Sequence, residues 1–170
     1  MQVIGKFFIA FSFFCTSLVL AADAPQKKTP PQTATAEPVT IQSNELIVLI
    51  PQSRDKLLAY SMHTNKWSQI AISVEPSQKI EPSVSRNMAV CKLGPSIYAY
   101  SAKAGVWSQL NLLPNSKVHF ELGNDTATVT VKTKQGNRFY VFGASHGQWT
   151  GIDINTGEEL RIRKTSRGGH

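Results

Sequence analysis

The feature that most constrains the fold is a 14-residue pattern that occurs three times without a gap. The copies span Leu57 to Ile70, Ile97 to Leu110, and Phe139 to Ile152. Each copy has an aromatic residue seven positions before a tryptophan: Tyr60 and Trp67, Tyr100 and Trp107, Phe142 and Trp149. The sequence contains no other tryptophan, so the pattern belongs to a repeated structural unit.

The residues around this pattern predict β-strands. Apolar residues alternate or form short β-branched runs, and Gly, Pro, Asn or Ser clusters separate the runs. The tryptophans are spaced by 40 and 42 residues, and a period near 40 with four short strands is typical of a propeller blade. We therefore predict an all-β domain of three four-stranded blades over residues 39–155, with repeats at 39–73, 78–113 and 116–155. The strands expected in the last two repeats span residues 79–85, 87–93, 96–102, 106–112, 117–122, 126–133, 138–144 and 148–154.

The repeated aromatic residues are expected to be structural. A four-stranded sheet that is apolar on both faces is not stable alone, so it must stack on a neighbour. One ring near the end of the third strand and another at the start of the fourth would fill the wedge between adjacent sheets. This interpretation is favoured over a ligand-stacking role.

The residue pattern of the repeat resembles that of kelch-like β-propellers. The sequences LLAYSMHTNKWSQI and IYAYSAKAGVWSQL contain a hydrophobic strand that ends in Tyr, then a polar turn, then Trp opening the next strand. The resemblance covers most of residues 39–154. The Gly-Gly pair usual at the end of the second kelch strand is absent from all three repeats. The resemblance implies a protein-binding or sugar-binding scaffold, with catalysis in a minority of relatives.

Three repeats of four strands are compatible with two closed architectures. A β-trefoil also has three units of four strands, closes within one chain and predicts a monomer. Closed propeller rings use roughly four to eight blades, so three blades predict a homodimer that forms a six-bladed ring. In that dimer, the segment Glu159–Lys164 would pair with the partner.

The N-terminus indicates export. A charged start ends at Lys6, and an uncharged run from Phe7 to Leu20 precedes small residues. The run is shorter than the roughly 20 apolar residues that span a bilayer, which favours a cleaved signal peptide at residues 1–22 and a secreted or periplasmic protein. Residues 23–38 are rich in proline and contain no aromatic residue, so we expect a disordered linker.

Neither cysteines nor histidines predict a reactive site. Cleavage would remove Cys15 and leave Cys91, which excludes an internal disulfide and places a thiol in an apolar strand. The four histidines show no metal-ligand spacing and are expected in exposed positions: His63, His119, His146 and His170. Residues 153–159, DINTGEE, fit a hairpin turn better than a calcium loop.

No nucleophile motif, paired-carboxylate pattern or phosphate loop is present in the sequence. We therefore predict no catalytic residue, no metal and no cofactor, and the sequence identifies no particular binding residue.

The charge distribution narrows the choice of partner. Without Lys6 the chain has 17 basic residues against 11 acidic ones, and several basic residues lie in a tail at residues 156–170. An exported protein is not expected to bind nucleic acid, so anionic envelope surfaces are the candidates for the tail. A tail that serves solubility is the simpler interpretation.

The predicted function is an exported, non-catalytic scaffold that binds a protein or an extracellular glycan. This expectation rests on the predicted export, the blade repeats and the missing catalytic motifs. The alternative is a small cell-envelope hydrolase or lyase on the same kind of β-scaffold.

Overall fold

The computed structural model describes residues 37–75, 77–114, 116–134 and 136–162. These residues contain strands and no helix, and hence no helix that could cross a membrane. The predicted signal peptide, most of the linker and residues 163–170 of the tail lie outside the described residues. The strands are β1 (Val39–Gln42), β2 (Leu46–Ile50), β3 (Lys56–Ser61), β4 (Lys66–Ala71), β5 (Ser83–Val84), β6 (Met88–Leu93), β7 (Ser96–Ser101), β8 (Val106–Asn111), β9 (Lys117–Leu122), β10 (Thr126–Thr133), β11 (Gly136–Gly143) and β12 (Gln148–Asp153).

The strands form three separate antiparallel sheets, each made from four consecutive strands. We call β1–β4 blade 1, β5–β8 blade 2 and β9–β12 blade 3. Each blade is a simple meander, in which every strand pairs with the next one along the chain. The predicted all-β class with three four-stranded blades is confirmed. In the described sheets no strand pairs with a strand of another repeat, whereas the barrel of a β-trefoil requires such pairs.

The strand bounds follow the sequence pattern closely except at β5. Strands β9 and β10 match the predicted ranges, while β5 covers only Ser83 and Val84 of the predicted 79–85. Pro82 lies directly before β5 and cannot donate a hydrogen bond to a neighbouring strand. Ile80 is nevertheless buried, so this segment contributes to the core as a loop.

Blade 2 is buried on both faces because it lies between the other two blades. In β6 and β7, alternate side chains point to opposite faces of the sheet. One core packs blade 1 residues such as Leu46, Val48 and Leu57 against the blade 2 face that carries Tyr100. A second core packs the opposite face of blade 2 against the blade 3 face that carries Phe142. The aromatic-bearing faces of blades 2 and 3 are thus each covered by the opposite face of the preceding blade.

Two buried serines connect the blades by hydrogen bonds. The Ser61 hydroxyl of blade 1 donates to the carbonyl oxygen of Ala102 in blade 2, and Ser101 of blade 2 donates to Ala144 in blade 3. Each hydroxyl also accepts backbone N–H groups from the turn that follows its strand. The equivalent position in blade 3 is Gly143, which has no hydroxyl to donate.

The turns before the tryptophans also differ between covered and uncovered blades. Gly105 in blade 2 and Gly147 in blade 3 have positive φ angles of 67° and 63°. A Cβ atom on Gly147 would lie 2.4 Å from Cγ2 of Val106 in blade 2. The equivalent residue of blade 1 is Asn65, with a φ of 55°. Glycine therefore occupies this turn in the two blades that have a preceding blade against them.

We expect Gly147→Ala to destabilise the protein by about 3 kcal/mol or more, because a left-handed alanine costs roughly 1–2 kcal/mol and overpacking adds a similar amount. Gly94→Ala is the matched control, since Gly94 has a φ of 56° and nothing within 4 Å of its Cβ position. Chemical denaturation of both variants measures the difference. Equal losses for the two variants would contradict close packing between blades 2 and 3 at this turn.

Candidate functional site

The three aromatic pairs have the same geometry but different exposure. In each blade the two rings lie opposite each other on the third and fourth strands, with centroids 5.4, 5.1 and 5.3 Å apart. Trp107 and Trp149 are 8% and 5% exposed, while Trp67 is 55% exposed. The prediction that these rings pack between sheets is therefore confirmed for blades 2 and 3 and wrong for blade 1. Among the described residues no strand precedes β1, so no sheet of the described fold covers the aromatic face of blade 1.

The centre of this uncovered face of blade 1 is apolar, and polar side chains lie on its edge strands β1 and β4. Strand pairing places Gln42, Ile47, Tyr60 and Trp67 in one row across the sheet. The next row contains Thr40, Leu49, Leu58 and Gln69. Met62, at the end of β3, is 48% exposed, whereas its counterparts Ala102 and Ala144 are buried. We call this surface the apolar end face, defined by Ile47, Leu49, Leu58, Tyr60, Met62 and Trp67.

The opposite end of the stack, on blade 3, has a mixed character. Its uncovered face carries His119 and Glu121 on β9 and Thr128 and Thr130 on β10. Apolar side chains remain toward the outer strands, where Ile152 is 43% exposed. We call this surface the polar end face, defined by His119, Glu121, Thr128, Thr130, Phe139, Val141 and Ile152.

A groove of about 880 Å³ runs between the outer strands of blades 2 and 3. One side is β8 and the other is β12, and residues 159–162 form a further wall. This last segment is fixed by its own chain, because the Leu160 N–H donates to the Gly151 carbonyl oxygen over 2.8 Å. Leu160 and Ile162 also pack against the core between blades 2 and 3. We call this feature the rim groove.

The rim groove combines neutral polar side chains with an aromatic ring. It is lined by Ser108 and Gln109 of blade 2, by Gln148 and Thr150 of blade 3, and by Arg161. Trp149 also lines the groove, and its indole N–H is buried without a hydrogen-bond partner among the described residues. Buried donors are usually satisfied by protein, water or ligand, so this N–H marks a place where an acceptor would be stabilising.

A chain of polar side chains connects the three blades through five turns: β1–β2 and β3–β4 of blade 1, β5–β6 and β7–β8 of blade 2, and β9–β10 of blade 3. The His63 Nε2 atom lies 3.0 Å from Asn87 Oδ1 and 3.5 Å from a carboxylate oxygen of Glu45. Asn87 in turn donates its amide N–H to Asp125 over 2.8 Å. The Lys103 ammonium lies 2.7 Å from the same carboxylate oxygen. Lys103, followed by Asn87, holds the pKa of Asp125 below its usual value, which favours the charged form that these partners require.

The histidines singled out in the sequence do not lie close to one another in the structure. His63 is part of the polar chain, His119 lies 3.3 Å from Glu121 on β9, His146 lines the rim groove, and His170 lies outside the described residues. In the described ranges no three His, Cys, Asp or Glu side chains are grouped so that they could hold a metal ion.

The segment after β12 forms a local turn. The Asp153 carboxylate accepts the backbone N–H of Asn155 over 2.8 Å and that of Thr156 over 3.4 Å. The chain then returns, and the Asp153 N–H donates to the carbonyl oxygen of Glu158. The hairpin turn predicted from DINTGEE is thus formed, and residues 159–160 pair with β12 of the same chain.

The buried serine and cysteine side chains, which could in principle act as nucleophiles, are held by packing and by hydrogen bonds within the core. The Ser61 and Ser101 hydroxyls are fully buried and donate to backbone carbonyl groups of the next blade. Cys91 is 1% exposed, and burial raises the pKa of its thiol to about 12. A neutral, enclosed thiol is a poor nucleophile, which agrees with the packed thiol expected from the sequence.

Sequence reasoning missed the rim groove. Its residues come from β8, β12 and the segment after β12, which are far apart in the chain.

Comparisons with known protein families and with curated protein sequences find no match for this chain. The resemblance to kelch-like repeats therefore stays a prediction, because three four-stranded antiparallel sheets are not specific to that group.

We expect Trp107→Ala to reduce the free energy of unfolding by about 3–5 kcal/mol, because it removes a large ring from between two sheets. Trp67→Ala is the matched control, since the same residue occupies the same register but is 55% exposed. Its loss should be clearly smaller, because no sheet of the same chain packs on this ring. Urea denaturation of the chain without residues 1–22 measures both values, and similar losses would contradict the different roles of the two rings.

We expect Cys91 to resist thiol reagents in the folded protein. A pKa of about 12 leaves a thiolate fraction of about 10⁻⁴ at pH 8, and burial also blocks access. Labelling with a chromogenic disulfide reagent should be slow in buffer and rapid in guanidinium chloride. Fast labelling of the folded chain without residues 1–22 would show that β6 opens readily and that its packing is looser than described.

Proposed function

We propose that this protein is an exported, non-catalytic scaffold that binds an extracellular glycan or a protein segment in the rim groove. The observation that carries the proposal is the groove itself. Its volume of about 880 Å³ falls within the roughly 300–1,000 Å³ of typical ligand sites. Trp149, whose indole N–H is buried and unpartnered among the described residues, is one of its lining residues.

The lining favours a glycan as the first ligand class to test. Sugars present hydroxyl groups that both donate and accept hydrogen bonds, and amide side chains such as Gln109 and Gln148 do the same. Trp149 is 5% exposed and packed between blades 2 and 3, so it closes the groove wall and does not offer an open stacking face. A protein segment would use the same groups through its backbone amides, so it is the second ligand class.

The carboxylate content of the groove supports binding rather than hydrolysis. Glycosidases generally use two carboxylates that flank the scissile bond, about 5–9.5 Å apart. Among the described residues that line the rim groove, Glu159 supplies the carboxylate, and no second acidic side chain faces it there. A cell-envelope hydrolase or lyase remains the alternative, and activity screening against polysaccharides and peptides tests it.

Binding to glycan arrays, together with pull-down from envelope extracts, tests the proposal. We expect Gln148→Ala and Arg161→Ala each to weaken binding of the recovered ligand about tenfold, the effect of losing one or two good hydrogen bonds. Gln69→Ala is the control, because Gln69 is an exposed amide on blade 1, away from the groove. Thermal denaturation of each variant checks that the fold is intact.

Two results would count against this function. One is the absence of any ligand in both screens. The other is a ligand whose affinity falls with Gln69→Ala but not with the groove variants, which would move the site to blade 1.

A further inference from the structure

The two ends of the three-blade stack differ in polarity. Blade 1 presents the apolar end face, on which Trp67 is 55% and Met62 48% exposed. Blade 3 presents the polar end face, which includes His119 and Glu121 with about three quarters of each side chain exposed. Large contiguous apolar patches are uncommon on soluble monomers and usually mark an interaction surface.

We propose that two copies of this chain associate head to head through their apolar end faces. The interface would be isologous, so each copy contributes the same residues and a two-fold axis relates them. The product is a closed dimer in which six blades stack in the order 3-2-1-1-2-3. The proposal is independent of the proposed function, because the rim groove lies between blades 2 and 3 of each copy.

The turn residues of blade 1 argue against cover by another blade in the manner seen inside the chain. Blade 2 lies so close to blade 3 that a Cβ atom at Gly147 would be 2.4 Å from Cγ2 of Val106. Blade 1 carries Asn65 at the equivalent position, with a full side chain whose amide oxygen accepts the Tyr60 hydroxyl. Asn65 would obstruct a blade that approached as closely as blade 2 approaches Gly147.

A second difference lies at the ends of the third strands. Ala102 and Ala144 receive the serine hydroxyls of the preceding blades through their carbonyl groups, and both side chains are fully buried. Blade 1 has the larger and exposed Met62 at this position. Blade 3, which would be the covering blade in a six-bladed ring, has Gly143 where the donor serine should be. The ring contact would therefore lack the hydrogen bond that both observed blade contacts contain.

Polarity also favours contact between like ends. In a ring, the apolar end face would bury His119, Glu121 and the threonines of the polar end face. Burying polar groups without hydrogen-bond partners costs free energy, and aliphatic side chains such as Leu49 and Leu58 offer none. When two apolar end faces meet, aliphatic and aromatic groups leave water together. The polar end faces then stay in solvent, as the terminal caps of stacked repeat proteins do.

The test is light scattering coupled to gel filtration on the chain without residues 1–22, at concentrations from one to one hundred micromolar. We expect twice the mass of the monomer. Met62→Glu and Ile152→Glu form a matched pair, because both replace a large apolar side chain that is nearly half exposed, 48% and 43% respectively. Met62→Glu should give monomers, since it places a charge in the interface, and Ile152→Glu should leave the dimer unchanged. Circular dichroism confirms that each variant is folded.

The possible outcomes separate the arrangements. A dimer that is broken by Met62→Glu and insensitive to Ile152→Glu supports the head-to-head contact. Loss of the dimer with both variants would overturn it in favour of a six-bladed ring. A monomeric parent chain would also overturn it, whether the apolar end face then stays open or binds a different protein. A second variant, Trp67→Lys, repeats the comparison at the most exposed residue of the face and should also give monomers.

Discussion

The rest of this structure depends on the packing of two aromatic-bearing faces, those of blades 2 and 3, on the opposite face of the preceding blade. This packing buries Tyr100 and Trp107 in one core and Phe142 and Trp149 in the other. None of the three sheets pairs with another through strand hydrogen bonds, so side-chain packing and a few specific polar contacts hold the blades together. Ser61 and Ser101 supply two of those contacts, and small residues allow the turns to approach closely.

This packing between blades also explains why the first and last blades carry different residues at positions that are alike in the blade contacts. An interior contact needs a serine on one blade and a small residue on the next. Among the described sheets none lies against the aromatic face of blade 1, which carries Met62 and Asn65. None lies against the outer face of blade 3 either, and that blade carries Gly143. The repeat therefore differs most where the physical constraint is absent. These departures give the stack two unlike ends, and the apolar one presents the exposed Trp67.

The candidate binding groove is a product of how the blades lie side by side. Strands β8 and β12 each carry an ordinary mixture of amide, hydroxyl and aromatic side chains. They form a concave site because blades 2 and 3 stack and because residues 159–162 return along β12 through the Leu160 hydrogen bond. The side chains that line the groove thus come from β8 and β12, which are about forty residues apart, and from the segment that follows the turn after β12.

The sequence by itself determined the strand content, the three-blade division and the register of the aromatic pairs, because alternation and turn residues act over a few neighbouring positions. Strands such as β9 and β10 could be predicted to the residue, whereas β5 was shortened by Pro82 and by packing of Ile80. Tertiary structure alone decided that Trp67 is exposed while Trp107 and Trp149 are buried, since burial depends on which sheet lies opposite. It also decided the rim groove, because Gln109, Gln148 and Arg161 become neighbours only when two blades and the returning segment pack together.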